Sequence, residues 1–330
     1  MNNTLVQTEL RLSRFAKLAW AVVAVNLLVI VWGAYVRASF SGDGCGDHWP
    51  LCNGSVIPAT GVFKTFVEVT HRLTSGAALL LVVWLVVRAY GLFPKGHRVR
   101  RGATWTLAFI LVEALIGAAL VKYGLVVRND SVARAVVMSG HLVNTFLLLA
   151  AATLTAWWAT GGAGLRLRGQ GNVGLLFAAG LAGAMLLAVS GAVTALGDTL
   201  FPVGTHGEGV RQSFSQTAHF LERLRALHPV IAVVVGCYAV MVSSYVANFL
   251  RPGRWVKKFG GVQTALFLTQ IGVGIVNVLL HAPVWLQLVH LFLADLFWMA
   301  LVLTASAALA DETAGSEVVE PHALRPAVEV

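Results

Sequence analysis

A chain of 330 residues in which 57% are hydrophobic and only 12% charged, with a mean hydropathy of +0.76, belongs in an apolar solvent. Soluble domains carry about 25% charged residues, which excludes a soluble enzyme, a disulfide miniprotein and a disordered chain. Apolar runs that continue for about 20 residues without alternating exclude an outer-membrane barrel, and the net charge of +9 sits in clusters between those runs, where it orients spans in a bilayer and does not mark a nucleic-acid binder.

The first predicted span covers 15–36 and follows a short cytoplasmic segment, 1–14. It is too long for a cleaved signal peptide and lacks a small-residue cleavage site. Spans two to four fall at 66–90, 103–121 and 135–158; a glycine-rich stretch, 159–172, follows as a cytoplasmic linker. Spans five to eight fall at 173–196, 227–249, 260–280 and 283–309, and an acidic, proline-containing tail, 310–330, reads as a disordered cytoplasmic end. Eight spans put both termini on one side. Of the 24 lysines and arginines, 15 fall on that side and 9 on the other, which makes it the cytoplasm. Trp105, Trp157, Trp158 and Trp255 lie at cytoplasmic span ends, where interfacial anchors belong.

The chain repeats itself. Gly33-Ala34 returns as Gly191-Ala192, Glu113 and Gly117 as Gln270 and Gly274, His71 as His228, and His141 as His290. Each repeat holds four spans, an even number, so the halves share an orientation and relate by an axis along the membrane normal. The predicted fold is all-α and integral to the membrane: two pseudo-twofold-related four-helix bundles, 15–158 and 173–309.

The even-numbered spans each carry a histidine within about two turns of their outer end, at about 5.4 Å per turn. His71 with His141, and His228 with His290, therefore offer paired imidazoles at matched depth on separate helices. A planar cofactor with two axial ligands needs that arrangement, and four-helix bundles commonly host it. The competing reading is that each histidine bonds a neighbouring helix; four at one depth, placed by a repeat, favour ligation. No His-Glu-x-x-His is present to suggest zinc. His97, His206, His219, His281 and His322 read as surface or interfacial residues.

Glu68 stands three residues before His71 on the same helix face, whereas the matching position before His228 is Arg225. The halves thus share histidines and not the acid. An intramembrane acid is a functional candidate, against the alternative of a carboxylate that stabilises the start of its helix. Glu113 and Asp295 are further intramembrane acids; Glu113 aligns with neutral Gln270 and reads as an interhelical hydrogen-bonding residue, and Asp295 is turned away from His290. In the outer loop, 37–64, Cys45 and Cys52 face an oxidising compartment and are expected to form a disulfide, either a staple or a redox pair. Cys237, in the apolar middle of span six, reads as a packing residue.

The loop Gly44-Cys45-Gly46-x-x-Trp49-Pro50-Leu51-Cys52-x-Gly54, the Glu68-x-x-His71-Arg72 that opens span two, and one histidine in each of spans four, six and eight resemble the haem A synthase family. The resemblance runs from Phe15 to Leu309. It implies oxidation of the C8 methyl of haem O to the formyl of haem A, for cytochrome oxidase assembly. It further implies that His71 and His141 flank the substrate haem, that Glu68 takes part in the chemistry, and that His228 and His290 ligate the iron of a permanent haem b. Some members carry a second cysteine pair between spans five and six; here 197–211 has none. Arg37 and Arg72, near the outer face, are the candidates for the haem propionates. The implied partners are haem O, haem A, the lipid bilayer, a haem O synthase and an electron acceptor, in a cell membrane, bacterial and cytoplasmic; an oligomer is compatible. The alternative function is a diheme b-type electron carrier, which Glu68 and the cysteine loop disfavour. A transporter would place broken helices at mid-membrane, and the polar positions here cluster at the outer face instead.

Overall fold

A computed structural model describes residues 2–56, 58, 61–205 and 211–310. The predicted tail beyond Ala310, His206 and His322 lie outside them. The helices run in the order α1 (Asn2–Ala38), α2 (Phe63–Leu92), α3 (Arg98–Lys122), α4 (Val132–Ala159), α5 (Gly171–Leu200), the short α6 (Phe220–Arg225), α7 (His228–Tyr245), α8 (Arg254–Leu279) and α9 (Val284–Ala308). Among the described residues, eight helical segments are long and apolar enough to cross a membrane, α6 and α7 counting as one, 220–250. The protein is a multi-pass membrane protein. At 1.5 Å per residue, its 25- to 31-residue spans exceed a hydrocarbon core of about 30 Å.

Helix ends follow local chemistry. Ser131 caps α4 by accepting from Arg134 N at 3.2 Å, and His97 caps α3 by accepting from Val99 N. Pro283 precedes α9, and Pro229 stands in the first turn of α7, where a missing N–H costs nothing. Pro229 also explains the break inside the sixth span, which starts seven residues earlier than predicted. The sixth span begins at Phe220, inside a capping box formed by His219 and Glu222, and is interrupted at Ala226 and Leu227 because Pro229 cannot bond back to Arg225. Phe220 stands eight residues before His228, as Phe63 stands eight before His71. The far end of α7 widens into one π-type turn, Val246–Leu250.

Helices α1–α4 pack on one another, and α5, α7, α8 and α9 do the same; α1, α4, α5 and α9 join the two groups. The shared core includes Phe15, Val22, Leu85, Leu149, Phe177 and Leu301, all nearly solvent-free. Between the groups, Trp298 Nε1 donates to Phe146 O at 2.7 Å, and the two rings stack at 5.0 Å. Small residues let helices approach: a Cβ on Gly236 of α7 would collide with the Phe267 ring of α8. Large apolar side chains such as Leu28, Leu80, Leu115 and Leu268 remain exposed on the outer faces, where lipid takes the place of a protein core.

Two expectations change here. Cys237 is exposed and does not pack in the interior; a span that is apolar all round does not reveal which face is turned to lipid. Trp157 is buried against the edges of Trp255 and Phe259, at 5.0 and 5.2 Å, so it ties α4 to α8 and does not face lipid, whereas Trp105 and Trp255 are exposed as expected.

Candidate haem sites

Four imidazoles are held with the same end turned inward. Nδ1 of His71, His141 and His290 is buried and has no hydrogen-bond partner, and Nδ1 of His228 lies 2.9 Å from Ser190 Oγ. Among the described residues, no hydrogen bond reaches any of the four Nε2 atoms. Burying imidazole nitrogens without partners costs free energy unless something else takes the ring. Three of the rings rest on a glycine of a neighbouring helix. A Cβ on Gly33 would stand 2.9 Å from His71 Cε1, and one on Gly191 or Gly274 would stand 3.2 Å from Cε1 of His228 or His290. The glycines that the repeat matched are therefore the space in which the rings sit. Gly117, the partner of Gly274 in the repeat, meets nothing within 4 Å.

The rings of His228 and His290 have centroids 6.4 Å apart and planes at 78°. Two imidazoles that share one metal through Nε2, at about 2 Å per bond, have centroids about 6 Å apart. The second pair has the spacing that a metal ion between α7 and α9 would need. His71 and His141 stand on α2 and α4. The donor chemistry of both pairs suits a haem, with one imidazole from each of two helices. Among the described residues, no group of three or more His, Cys, Asp or Glu stands together as a compact metal site.

Glu68 is buried at 3% exposure, and both its oxygens are engaged. Oε2 accepts from the backbone N–H of Cys45 at 2.8 Å; Oε1 accepts from Arg72 Nε at 3.1 Å and Nη2 at 2.5 Å. Arg72 Nη1 in turn donates to the carbonyls of His48 and Leu51, at 2.5 and 2.6 Å. Glu68 and Arg72 thus clamp the cysteine loop onto the helix that carries His71. Cys45 and Cys52 form the expected disulfide, Asn53 N donates to Cys45 O, and Gly44 lies so close to α2 that a Cβ there would collide with the Lys64 carbonyl. Arg225, the counterpart of Glu68, donates to Ser213 Oγ and Phe201 O, both at 3.2 Å, and lies 3.8 Å from Asp198.

Arg37 is held by acceptors on two other helices. Its Nη1 donates to Ala195 O at 2.7 Å and Thr199 Oγ1 at 2.6 Å, and Nη2 to Gln287 Oε1 at 3.2 Å. The end of α1 is thereby tied to α5 and α9, so this guanidinium belongs to the junction between the helix groups. Among the other histidines, His97 and His219 cap helices and His48 is exposed beside Asp47. Asp295 is fully buried with neither carboxylate oxygen hydrogen-bonded. Two contacts had no signal in the spacing of the sequence: Ser190 on His228, and Glu113, whose Oε1 lies 3.5 Å from His141 Nδ1.

Residues 16–302 match the family model described as COX15-CtaA, cytochrome oxidase assembly protein. A Thermus thermophilus protein named protoheme IX farnesyltransferase is 51% identical over 297 residues, which is 90% of this chain and 49% of that protein. Proteins named heme A synthase from Bacillus mycoides and Bacillus cereus are 37% and 36% identical over 114 residues, 34% of this chain and 37% of theirs. The chain spans about half the length of the Thermus relative it matches. With the matched region covering all eight spans from α1 to α9, the chain belongs to the COX15-CtaA family of cytochrome oxidase assembly proteins.

Proposed function

We propose that the chain is a haem A synthase that oxidises the C8 methyl of haem O to a formyl group. The observation that carries this reading is the inequality of two otherwise matched histidine helices. His71 has behind it a buried carboxylate locked to a disulfide loop, and His228 has an arginine. A carrier that only passes electrons has no use for that difference.

In this reading α1–α4 form the substrate bundle and α5–α9 the bundle for a resident haem b. His71 and His141 would bind the substrate haem; His228 and His290 would hold haem b, which supplies one-electron transfer when bound. Converting a methyl to a formyl removes four electrons and takes in one oxygen atom, so an external electron acceptor completes the reaction. Glu68 contributes an anion, fixed by Arg72 and the Cys45 N–H before the reaction begins, where positive charge develops as the methyl loses hydrogen. Its second role is proton acceptance, for which the carboxylate must let go of one of these donors. The Cys45–Cys52 bridge shapes the loop whose N–H holds Glu68, so it acts on the carboxylate through the backbone.

The farnesyltransferase name belongs to a protein about twice as long. Prenyl diphosphates are ordinarily held through Mg²⁺ by carboxylates, and here Asp43 is paired with Lys64 and Asp47 stands exposed beside His48. That name does support a haem O synthase as the partner that supplies this chain's substrate. The test is expression in cells that make haem O and lack haem A. Haem A is expected to appear. Persistence of haem O alone would overturn the reading, and haem O arising in cells that make only haem B would favour prenyl transfer.

The orientation places both termini in the cytoplasm. Reporter fusions after Phe93 and after Arg254 are expected to report the cytoplasm, and one after Gly54 the outside. An external Arg254 would contradict this orientation.

A further inference from the structure

His141 has a carboxylate at its back, and its counterpart His290 does not. Glu113 reaches from α3 and sets Oε1 3.5 Å from His141 Nδ1. The carboxylate is fixed from α4: Thr145 Oγ1 donates to Oε1 at 2.5 Å and Asn144 Nδ2 to Oε2 at 2.5 Å. Both donors are buried, and Asn144 is itself anchored on Phe109 O at 2.9 Å, so the carboxylate has little freedom to turn away. The Nδ1–Oε1 distance exceeds the usual N–H···O range of about 2.7–3.2 Å; it is a charge contact that favours a proton on Nδ1. In the second group Gln270 occupies the matching place. It donates from Nε2 to the backbone carbonyl of His290 at 2.9 Å, and His290 Nδ1 stays buried without a partner.

We propose that Glu113 is a positioning residue that acts through His141. Its carboxylate holds the ring in the Nδ1–H tautomer, leaves the Nε2 lone pair for iron, and makes this imidazole the most electron-donating of the four. A carboxylate behind a ligating histidine raises the ligand's basicity and fixes its orientation. An electron-rich ligand stabilises oxidised iron, so the haem between His71 and His141 has the lower reduction potential of the two. Electrons then leave the first pair toward the second, the direction an oxidation in the first bundle requires. The proposal rests on the reading that both histidine pairs hold haem.

The test is titration of the purified protein with ferric protohaem, followed by an optical redox titration of the loaded sites and by electron paramagnetic resonance of the ferric form. Glu113→Gln puts the second group's side chain in the first. It is expected to weaken ferric haem binding at the first pair about 10–100-fold, the usual cost of losing such an outer partner. It should also raise that haem's midpoint potential and leave the second haem unchanged. Thr145→Val, which keeps the carboxylate and removes one of its donors, should move both quantities less and in the same direction; it carries the test if the first variant does not fold. Unchanged affinity and midpoint in folded variants would overturn the role of Glu113 alone. Failure of the unaltered protein to bind haem at the first pair would overturn the underlying reading instead, and this proposal with it.

Discussion

Glu68→Gln is expected to lower haem A output by about 10²–10⁴-fold, the usual contribution of a positioned acid–base group. The substitution nearly preserves size but removes the charge, and it sets an amide N–H₂ against donors on either side, the Cys45 N–H or the Arg72 guanidinium. If Glu68 merely stabilised the start of α2, the loss would be about 0.3–1 kcal/mol of helix-end stability, with haem A still made by the folded protein. Because the carboxylate also clamps the loop, the variant needs a check that Cys45–Cys52 still forms, by thiol labelling under denaturing conditions. An intact disulfide with lost product assigns the effect to the carboxylate. Haem bound by His228 and His290 should be unaffected, since among the described residues the hydrogen bonds of Glu68 go to the loop and to Arg72 of α2. Arg225→Glu should not produce a second active site, because no disulfide loop covers that helix among the described residues. Normal haem A output from Glu68→Gln would refute the catalytic role.

The second large effect is expected at His228 and His290. Replacing either by alanine removes one of two rings whose centroids stand 6.4 Å apart, and with it, on the proposed reading, one ligand of haem b. The low-spin b-type spectrum is expected to disappear in each single variant. Survival of that spectrum in both would mean that the pair is structural. Ser190→Ala is a milder probe: it strips the 2.9 Å contact from His228 Nδ1 and is expected to weaken haem retention without abolishing it.

The spans were legible in the sequence because a continuous apolar run has one stable solution in a bilayer, a helix that satisfies its own backbone. Span six was read short by seven residues, since Glu222, Arg223 and Arg225 interrupt its apolar pattern and only the His219 capping box reveals that a helix already runs there. The four histidines were legible through the repeat in the sequence, which matches His71 with His228 and His141 with His290. Neighbours across helices were not. Comparing Glu113 with Gln270 along the repeat told what differs between the halves, but nothing in the spacing told that Glu113 stands beside His141. Arg37 illustrates the same limit. Its partners Ala195, Thr199 and Gln287 are set by how α1 packs on α5 and α9. The disulfide was legible because its cysteines are close in sequence; the use of the Cys45 N–H by Glu68 required the loop to fold back onto α2.

The central claim is that two matched histidine pairs serve two different haems, one transformed and one retained. Extraction of haems from the purified, unaltered protein, followed by mass analysis, tests it most directly. Haem B is expected together with a population of haem O or haem A. Haem B alone, filling both pairs, would contradict the account and make the protein a diheme electron carrier.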